Sequence, residues 1–276
     1  MRWRTAWLAL ALMLAAPAWA KPRVASINMC TDQLLLSLAD PEQIAGVSHL
    51  ARSPALSWYW RTATAHKILS GQAEDVLLLR PDMVLTATFV KPQTRDLIGR
   101  NGLRIEEFAS AATIDEVRSQ ILRAGALLDQ PARAASAIAR IDAALARLRA
   151  TASGNRLSIL PLERRGWISG QDSLLTNLLA EAGATNLAAQ RFGAGTLLPL
   201  ERLVTLRPDL LLLSDGGTRA IDQGTALLRH PALAQIAAYS AALVMPDAMT
   251  VCAGPMLADA MDHLREELAR SSGKSR

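Results

Sequence analysis

The chain has few of the residues that usually signal catalysis or metal binding. Among its 276 residues there are two cysteines and four histidines, and the histidines lack the spacing of a metal site. It contains no Gly-x-Ser-x-Gly elbow, no phosphate-binding loop, no Gly-x-Gly-x-x-Gly turn and no His-Glu-x-x-His helix. We therefore expect no enzyme activity, no resident cofactor and no metal site, including one for bare zinc or manganese.

The chain also lacks a block of charge of one sign. Lysine and arginine are scattered among aspartate and glutamate, although the formal net charge is +5. This distribution argues against nucleic acid as a partner, because nucleic-acid sites concentrate basic residues on one surface. Half of the residues are apolar, which is enough for a packed core and argues against disorder.

Long apolar runs are missing except at the N-terminus, which has the three-part pattern of a secretory signal peptide. Arg2 and Arg4 precede an apolar run at 7–16, and the sequence AWA at 18–20 fits a cleavage site. The run is shorter than the about 20 residues needed to span a bilayer. We predict that residues 1–20 are removed and that the mature chain is exported as a soluble protein without an anchor.

The remaining chain alternates strand-like and helix-like segments, which predicts the α/β class. Between two groups of strands, 113–150 has a helical pattern that Pro131 divides. We predict two lobes, each with a mostly parallel sheet flanked by helices, joined by one long helix; a charged surface helix within one domain is the alternative for that helix. The predicted bounds are 21–130 for the N-terminal lobe, 131–153 for the connecting helix and 154–276 for the C-terminal lobe. Strand patterns lie at 23–28, 44–48, 83–88, 103–108, 157–160, 210–214 and 242–245.

One motif occurs twice. Glu74 is followed by Arg-Pro-Asp at 80–82 and an apolar strand, and Glu201 is followed by Arg-Pro-Asp at 207–209 and another apolar strand. The offset between the two copies is 127 residues, which is the size of a domain and indicates two related lobes. Each glutamate lies in the first turn of a predicted helix, where a carboxylate is favourable, so simple capping is the alternative to a functional role.

These features resemble the helical-backbone class of periplasmic binding proteins that serve ABC importers of vitamin B12, ferric siderophores and haem. The resemblance rests on VASIN at 24–28, the two glutamate motifs, the central helix and EAGATN at 181–186. It implies a monomeric periplasmic protein that binds its ligand between two lobes. It also implies that Glu74 and Glu201 dock against the membrane permease dimer.

Ligands of open α/β sheets bind beyond the carboxyl ends of the strands, so the loops that follow the strands should line the cleft. Aromatic rings in these loops suit a flat, bulky ligand, and the basic residues could pair with its carboxylates. Because Trp58, Tyr59 and Trp60 are consecutive, they cannot all face the same way. The predicted ligand-binding residues are Cys30, Trp58, Tyr59, Trp60, Phe89, Lys91, Arg165, Trp167, Arg219 and Asp247.

Cys30 and Cys252 both fall in loops that should lie near the cleft. A disulfide between them and two buried thiols are both consistent with the sequence in an oxidising compartment. For the cargo, cobalamin and a ferric siderophore are equal candidates and haem ranks behind them, since Tyr59 alone is well placed as an axial ligand. A two-lobed ligand sensor without transport is the remaining alternative.

Overall fold

A computed structural model describes residues 20–152, 157–214, 228, 230–233, 236 and 241–274. The predicted signal peptide, apart from Ala20, and the predicted ligand residue Arg219 lie outside the described residues. No helix within these ranges is both long enough and apolar enough to cross a membrane.

The N-terminal lobe contains a five-stranded sheet in the order β3-β2-β1-β4-β5, with every neighbouring pair parallel. Its three central strands are buried along their whole length, as expected for a parallel sheet that helices cover on both faces. The strands are β1 (Val24–Ser26), β2 (Ile44–Ser48), β3 (Ile68–Leu69), β4 (Met83–Ala87) and β5 (Arg104–Phe108). The helices are α1 (Met29–Leu38), α2 (Trp60–Ala63), α3 (Ala73–Leu79) and α4 (Pro92–Arg100).

The C-terminal lobe repeats this plan with a four-stranded parallel sheet in the order β11-β10-β6-β8. A short antiparallel pair, β7 with β9, lies beside it. The strands are β6 (Ser158–Leu162), β7 (Trp167–Ile168), β8 (Thr185–Asn186), β9 (Thr196–Leu197), β10 (Leu210–Ser214) and β11 (Ala241–Met245). The described helices of this lobe are α7 (Leu174–Glu181), α8 (Leu187–Phe192), α9 (Leu200–Leu203), α10 (Asp247–Thr250) and α11 (Leu257–Lys274).

Two helices, α5 (Ile114–Leu127) and α6 (Pro131–Arg149), lie between the lobes in sequence. Pro131 begins α6, as predicted, because a proline at the first helical position loses no intrahelical hydrogen bond. The helix α11 runs along α6, and ion pairs join Arg140 to Asp259 at 3.2 Å and Arg147 to Asp262 at 2.6 Å. The largest apolar core includes side chains of both lobes and of α6, so the lobes share one packed interior.

The aspartates of the two Arg-Pro-Asp motifs make equivalent hydrogen bonds in the two lobes. Asp82 accepts a hydrogen bond from the Arg23 N–H at 2.7 Å and returns its own N–H to the Arg23 carbonyl at 2.8 Å. Asp209 exchanges the same two bonds with Ser158, also at 2.7 and 2.8 Å. Each aspartate thereby fixes the entry to the first strand of its lobe against the adjacent strand, β4 or β10. The repeated aspartate thus has a structural explanation that does not extend to Glu74 or Glu201.

A disulfide joins Cys30, in the first turn of α1, to Cys252, which follows α10. The two cysteines are 222 residues apart in sequence, and each belongs to a different lobe. The sequence left open a disulfide and two buried thiols. The structure contains the disulfide, which links the two lobes covalently.

Candidate ligand-binding cleft

The order of the strands reverses once in each sheet, and this reversal positions the cleft. In the N-terminal lobe the chain turns from one side of the sheet to the other between β1 and β4, and in the C-terminal lobe it does so between β6 and β10. Ligands of open α/β sheets bind in the crevice beyond the carboxyl ends of the strands at such a point. Among the described residues, two cavities lie at these points, and a third lies between the segments that follow β2 and β11.

The first, which we call the C-lobe cavity, has a volume of about 360 Å³. It lies at the carboxyl ends of β6, β10 and β11 and against the start of α7. One N-lobe residue, Leu56, contributes to its wall, so the cavity opens between the lobes. The lining residues are Leu56, Pro161, Glu163, Arg164, Ser169, Ser173, Leu174, Leu175, Leu212, Ser214, Met245, Asp247, Thr250 and Val251.

The C-lobe cavity contains a carboxyl group that the protein only partly satisfies. Glu163 directly follows β6, and its Oε1 accepts a hydrogen bond of 2.5 Å from the Ser169 hydroxyl. Burial raises the pKa of Glu163, and the Ser169 hydrogen bond opposes this rise. Ser214, the last residue of β10, is buried at 8% exposure, and its hydroxyl has no hydrogen-bond partner among the described residues.

The second, which we call the disulfide cavity, has a volume of about 220 Å³ and lies at the ends of β1 and β4. Cys30 and Cys252 line it together with Phe89, whose ring is 63% exposed at the edge of the cleft. Its wall includes Ser173, Leu174, Thr250 and Val251, which also line the C-lobe cavity, so the two cavities adjoin.

The third, which we call the tryptophan cavity, has a volume of about 270 Å³. Trp58 and Trp60 line it from the N-terminal lobe, and Pro246 and Ala248 line it from the C-terminal lobe. The Arg61 guanidinium stacks 4.4 Å from the centre of the Trp60 ring, which holds a cation beside an aromatic wall.

A profile of the family described as "Periplasmic binding protein" matches residues 24–244, which cover both sheets and all three cavities in part. The chain belongs to the periplasmic binding protein family.

Individual relatives of this periplasmic binding protein match its sequence at low identity. A "Cobalamin-binding protein" of Halobacterium salinarum is 25% identical over 217 residues, which cover 75% of this chain and 57% of that protein. The chain therefore spans less than two thirds of that relative.

Two solved structures show the same fold. The periplasmic heme-binding protein RhuT from Roseiflexus sp. RS-1, in its apo form, superposes with a TM-score of 0.75 at 23% identity, covering 91% of this chain and 99% of RhuT. An ABC-type Fe3+-hydroxamate transport system from Saccharomonospora viridis superposes with a TM-score of 0.69 at 20% identity, covering 90% of this chain and 93% of that one.

The structure of this periplasmic binding protein brings five of the predicted ligand residues into the cavity walls. They come from both lobes, and together they reach all three cavities. They are Cys30, Trp58, Trp60, Phe89 and Asp247.

Tyr59 points away from the cleft. It packs against the shared apolar core, and its phenol lies near Ser37, Asp259 and Arg140. Burial raises the pKa of Tyr59 to about 12, and the nearby Asp259 carboxylate adds to the rise. Tyr59 is thus the member of the aromatic triplet that has a structural role, because its neighbours on either side occupy the cavity wall.

Three other predicted ligand residues lie outside the walls of these cavities. Lys91 is exposed at the residue that precedes α4. Arg165 has a positive φ of 61° and is exposed, whereas its neighbour Arg164 lines the C-lobe cavity. Trp167 is exposed in β7. Sequence order alone could not show which residue of the Arg164–Trp167 turn faces the cavity, because the left-handed backbone at Arg165 redirects the chain.

Several wall residues were absent from the predicted site. Ser214 could have been found, since it is the polar residue at the carboxyl end of an otherwise apolar strand. Thr250 and Val251 could not, because they lie at the end of the short helix α10, which the sequence does not signal. Glu163 was expected to reach the cleft from the loop after its strand, but Ser169 was not, because the two residues pair only after the chain has turned back through β7.

The N-terminal lobe contains a buried carboxyl group close to the disulfide cavity. Asp32 is fully buried in α1 and accepts hydrogen bonds from the Ser48 N–H at 3.1 Å and the Ser48 hydroxyl at 2.5 Å. Burial raises the pKa of Asp32 to about 7, although hydrogen bonds from Ser26 and Ser48 counter part of the rise. The Ser26 hydroxyl is also hydrogen-bonded, at 2.8 Å, to the hydroxyl of Thr31, and Thr31 lines the disulfide cavity.

Proposed function

We propose that this chain is the exported, periplasmic binding protein of an ABC importer. In this proposal residues 1–20 are a cleaved signal peptide, and the mature monomer captures cobalamin or a ferric siderophore between its lobes. It then delivers that ligand to the membrane permease dimer. The observation that carries the proposal is that the C-lobe cavity and the disulfide cavity adjoin each other between the lobes, at the points where the strand order of both sheets reverses.

The chemistry of the cleft supports a bulky chelate as cargo. Two tryptophans and an exposed phenylalanine line its walls, and large rings bind flat apolar ligands well. The names of the similar proteins point to the same class of cargo, since they refer to cobalamin, haem and an iron hydroxamate.

Haem is the second candidate, favoured by the fold shared with haem-binding proteins. Haem iron is commonly held by an axial histidine or tyrosine. Neither residue type contributes to the walls of the three cavities as described, and the Tyr59 phenol lies in the core. We therefore rank haem behind cobalamin and ferric siderophores.

For docking to the permease we propose the paired glutamates. Glu74 and Glu201 are exposed in the first turns of α3 and α9, and within the described ranges neither makes a hydrogen bond or ion pair. An aliphatic residue is exposed one turn after each glutamate, with Leu78 at 81% and Val204 at 37%. A free carboxylate beside an exposed aliphatic side chain suits a basic, partly apolar partner surface on each lobe.

The test is charge reversal at both sites, Glu74→Lys with Glu201→Lys. We expect ligand uptake into cells that carry the cognate permease to fall about tenfold or more, because like charges across an interface cost several kcal/mol. Ligand affinity of the purified variant should stay unchanged, since both residues lie outside the cavity walls.

The matched control is Glu42→Lys, which reverses an exposed glutamate of the N-terminal lobe away from α3. It should leave uptake at the wild-type level. Normal uptake by the double variant would contradict the docking role.

A further inference from the structure

The wall of the C-lobe cavity contains two hydrogen-bonding atoms without a partner among the described residues. The Ser214 hydroxyl is buried at 8% exposure in the cavity wall and has no partner among the described residues. A buried hydroxyl without a hydrogen bond lowers the stability of the folded protein, so such a group in a cavity wall indicates a ligand that completes the hydrogen bond.

Glu163 provides the second atom. Its Oε1 is bonded to Ser169, and its N–H donates to the Trp167 carbonyl at 2.8 Å, so the residue is held in place. Its other carboxyl oxygen has no hydrogen bond within the described part of the chain. The strand register pairs Leu213 with Leu162, and the next residues on the two strands are Ser214 and Glu163. The two residues are therefore neighbours on adjacent strands at the reversal point of the sheet.

The rest of the wall decides which ligand group fits. Arg164 and Asp247 are already engaged in interactions of their own. Much of the remaining surface is apolar, including Pro161, Leu212 and Met245. A ligand carboxylate would meet the Glu163 carboxyl group in this cavity, and two carboxylates brought close together repel each other. An uncharged group that both donates and accepts hydrogen bonds would satisfy Glu163 and Ser214 together.

We propose that the C-lobe cavity binds a primary carboxamide of the ligand, whose NH2 group donates to Glu163 and whose carbonyl accepts from the Ser214 hydroxyl. The inference rests on the proposed function and names its cargo class. A corrin carries several peripheral carboxamides, whereas haem carries carboxylates at its periphery. The site thus selects a corrin over haem by side-chain chemistry, since the two rings are both flat and similar in width.

The test compares two corrins that share one ring and differ at its edge. Dicyanocobinamide has peripheral carboxamides, and dicyanocobyrinic acid has carboxylates in their place. Calorimetric titration of the wild-type protein should give at least about tenfold tighter binding of the amide form, a ratio that corresponds to one charge-assisted hydrogen bond.

Two variants test whether the Ser214 hydroxyl and the Glu163 carboxylate cause this difference in affinity between the two corrins. Ser214→Ala should weaken binding of dicyanocobinamide about five- to tenfold. It should also raise the melting temperature of the empty protein, because it removes an unpaired buried hydroxyl. Glu163→Gln keeps the size of the side chain and its bond to Ser169 but removes the negative charge, so it should reduce the preference for the amide form about tenfold. Ser136→Ala, on the exposed face of α6, is the control for the serine change and should leave both affinities unchanged.

The results separate this inference from the proposed function. Equal affinity of the wild-type protein for both corrins, or an unchanged ratio in Glu163→Gln, would overturn the carboxamide site. Binding of haem or a ferric siderophore without binding of either corrin would overturn the carboxamide site and leave the importer proposal standing. Failure to bind any corrin, haem or ferric siderophore would contradict the importer proposal itself.

Discussion

The two lobes place a carboxyl group and serine hydroxyls near the same edge of their sheets but complete the hydrogen bonds differently. In the N-terminal lobe, Asp32 is fully buried, and the N–H and hydroxyl of Ser48 donate one hydrogen bond to each of its two oxygens. In the C-terminal lobe, Glu163 has only Ser169, and Ser214 beside it has no partner among the described residues.

This difference indicates a structural role for the Asp32 carboxyl group and a binding role for the Glu163 carboxyl group, although the two lobes are otherwise similar. A polar network that is complete within the protein rigidifies the end of a sheet and leaves no hydrogen-bonding capacity for a ligand. A network that is incomplete and opens into a cavity leaves capacity that a ligand can use. The contrast holds for these two carboxyl groups and their serines only, because Ser57, which lines the tryptophan cavity from the N-terminal lobe, also has a buried hydroxyl without a partner among the described residues.

The largest expected effect comes from the covalent link between the lobes. Replacing Cys30 and Cys252 by serine should lower the free energy of unfolding by about 2–5 kcal/mol, since a disulfide that closes a long loop restricts the unfolded chain. Because the main core contains side chains of both lobes, we expect the variant to unfold in one transition, measured by calorimetry. Two separate transitions would show that each lobe is an independent folding unit and would break the comparison. Reduction of the wild-type protein should reproduce the result.

A smaller effect tests the contrast between the two carboxyl groups. The pKa of Asp32 rises from 3.8 in the unfolded chain to about 7 in the folded protein. Between these pH values the folded protein holds a proton that the unfolded chain has lost, so this contribution to stability is present at pH 4 and disappears as pH rises through 7. Asp32→Asn should therefore gain stability relative to the wild type between pH 4 and pH 8, by ~1–4 kcal/mol.

Urea unfolding at several pH values measures this gain, with Asp96→Asn, at an exposed aspartate of α4, as the control for loss of one carboxylate. Ligand affinity of Asp32→Asn should stay at the wild-type value, unlike that of Glu163→Gln. A large loss of affinity in Asp32→Asn would show that the N-terminal network also serves binding.

The sequence was sufficient to predict much of the architecture. The strand patterns at 44–48 and 210–214 agree with β2 and β10, because buried parallel strands are continuous apolar runs. The division of the central helices at Pro131 also agrees with the structure. The two-residue strands β3, β7, β8 and β9 were not predicted, since such short pairs have no periodicity of their own.

The site was harder to predict than the fold. Which loops reach the cleft follows from strand order, but which side chain in a loop faces the ligand depends on local backbone geometry. Tyr59 and Arg165 illustrate this, since each adjoins a residue that lines a cavity, yet the core holds the Tyr59 ring and a positive φ turns Arg165 outward. The Glu74 and Glu201 pair remains a prediction, because docking involves a partner surface.

The most direct measurement is a calorimetric titration of the purified mature protein with cyanocobalamin, several ferric siderophores and haem. We predict one tight site per monomer for a bulky chelate, with cyanocobalamin bound more tightly than haem. Binding should quench tryptophan fluorescence, because Trp58 and Trp60 lie in the cleft. Absence of binding to every compound, or tight binding of haem alone, would contradict the account.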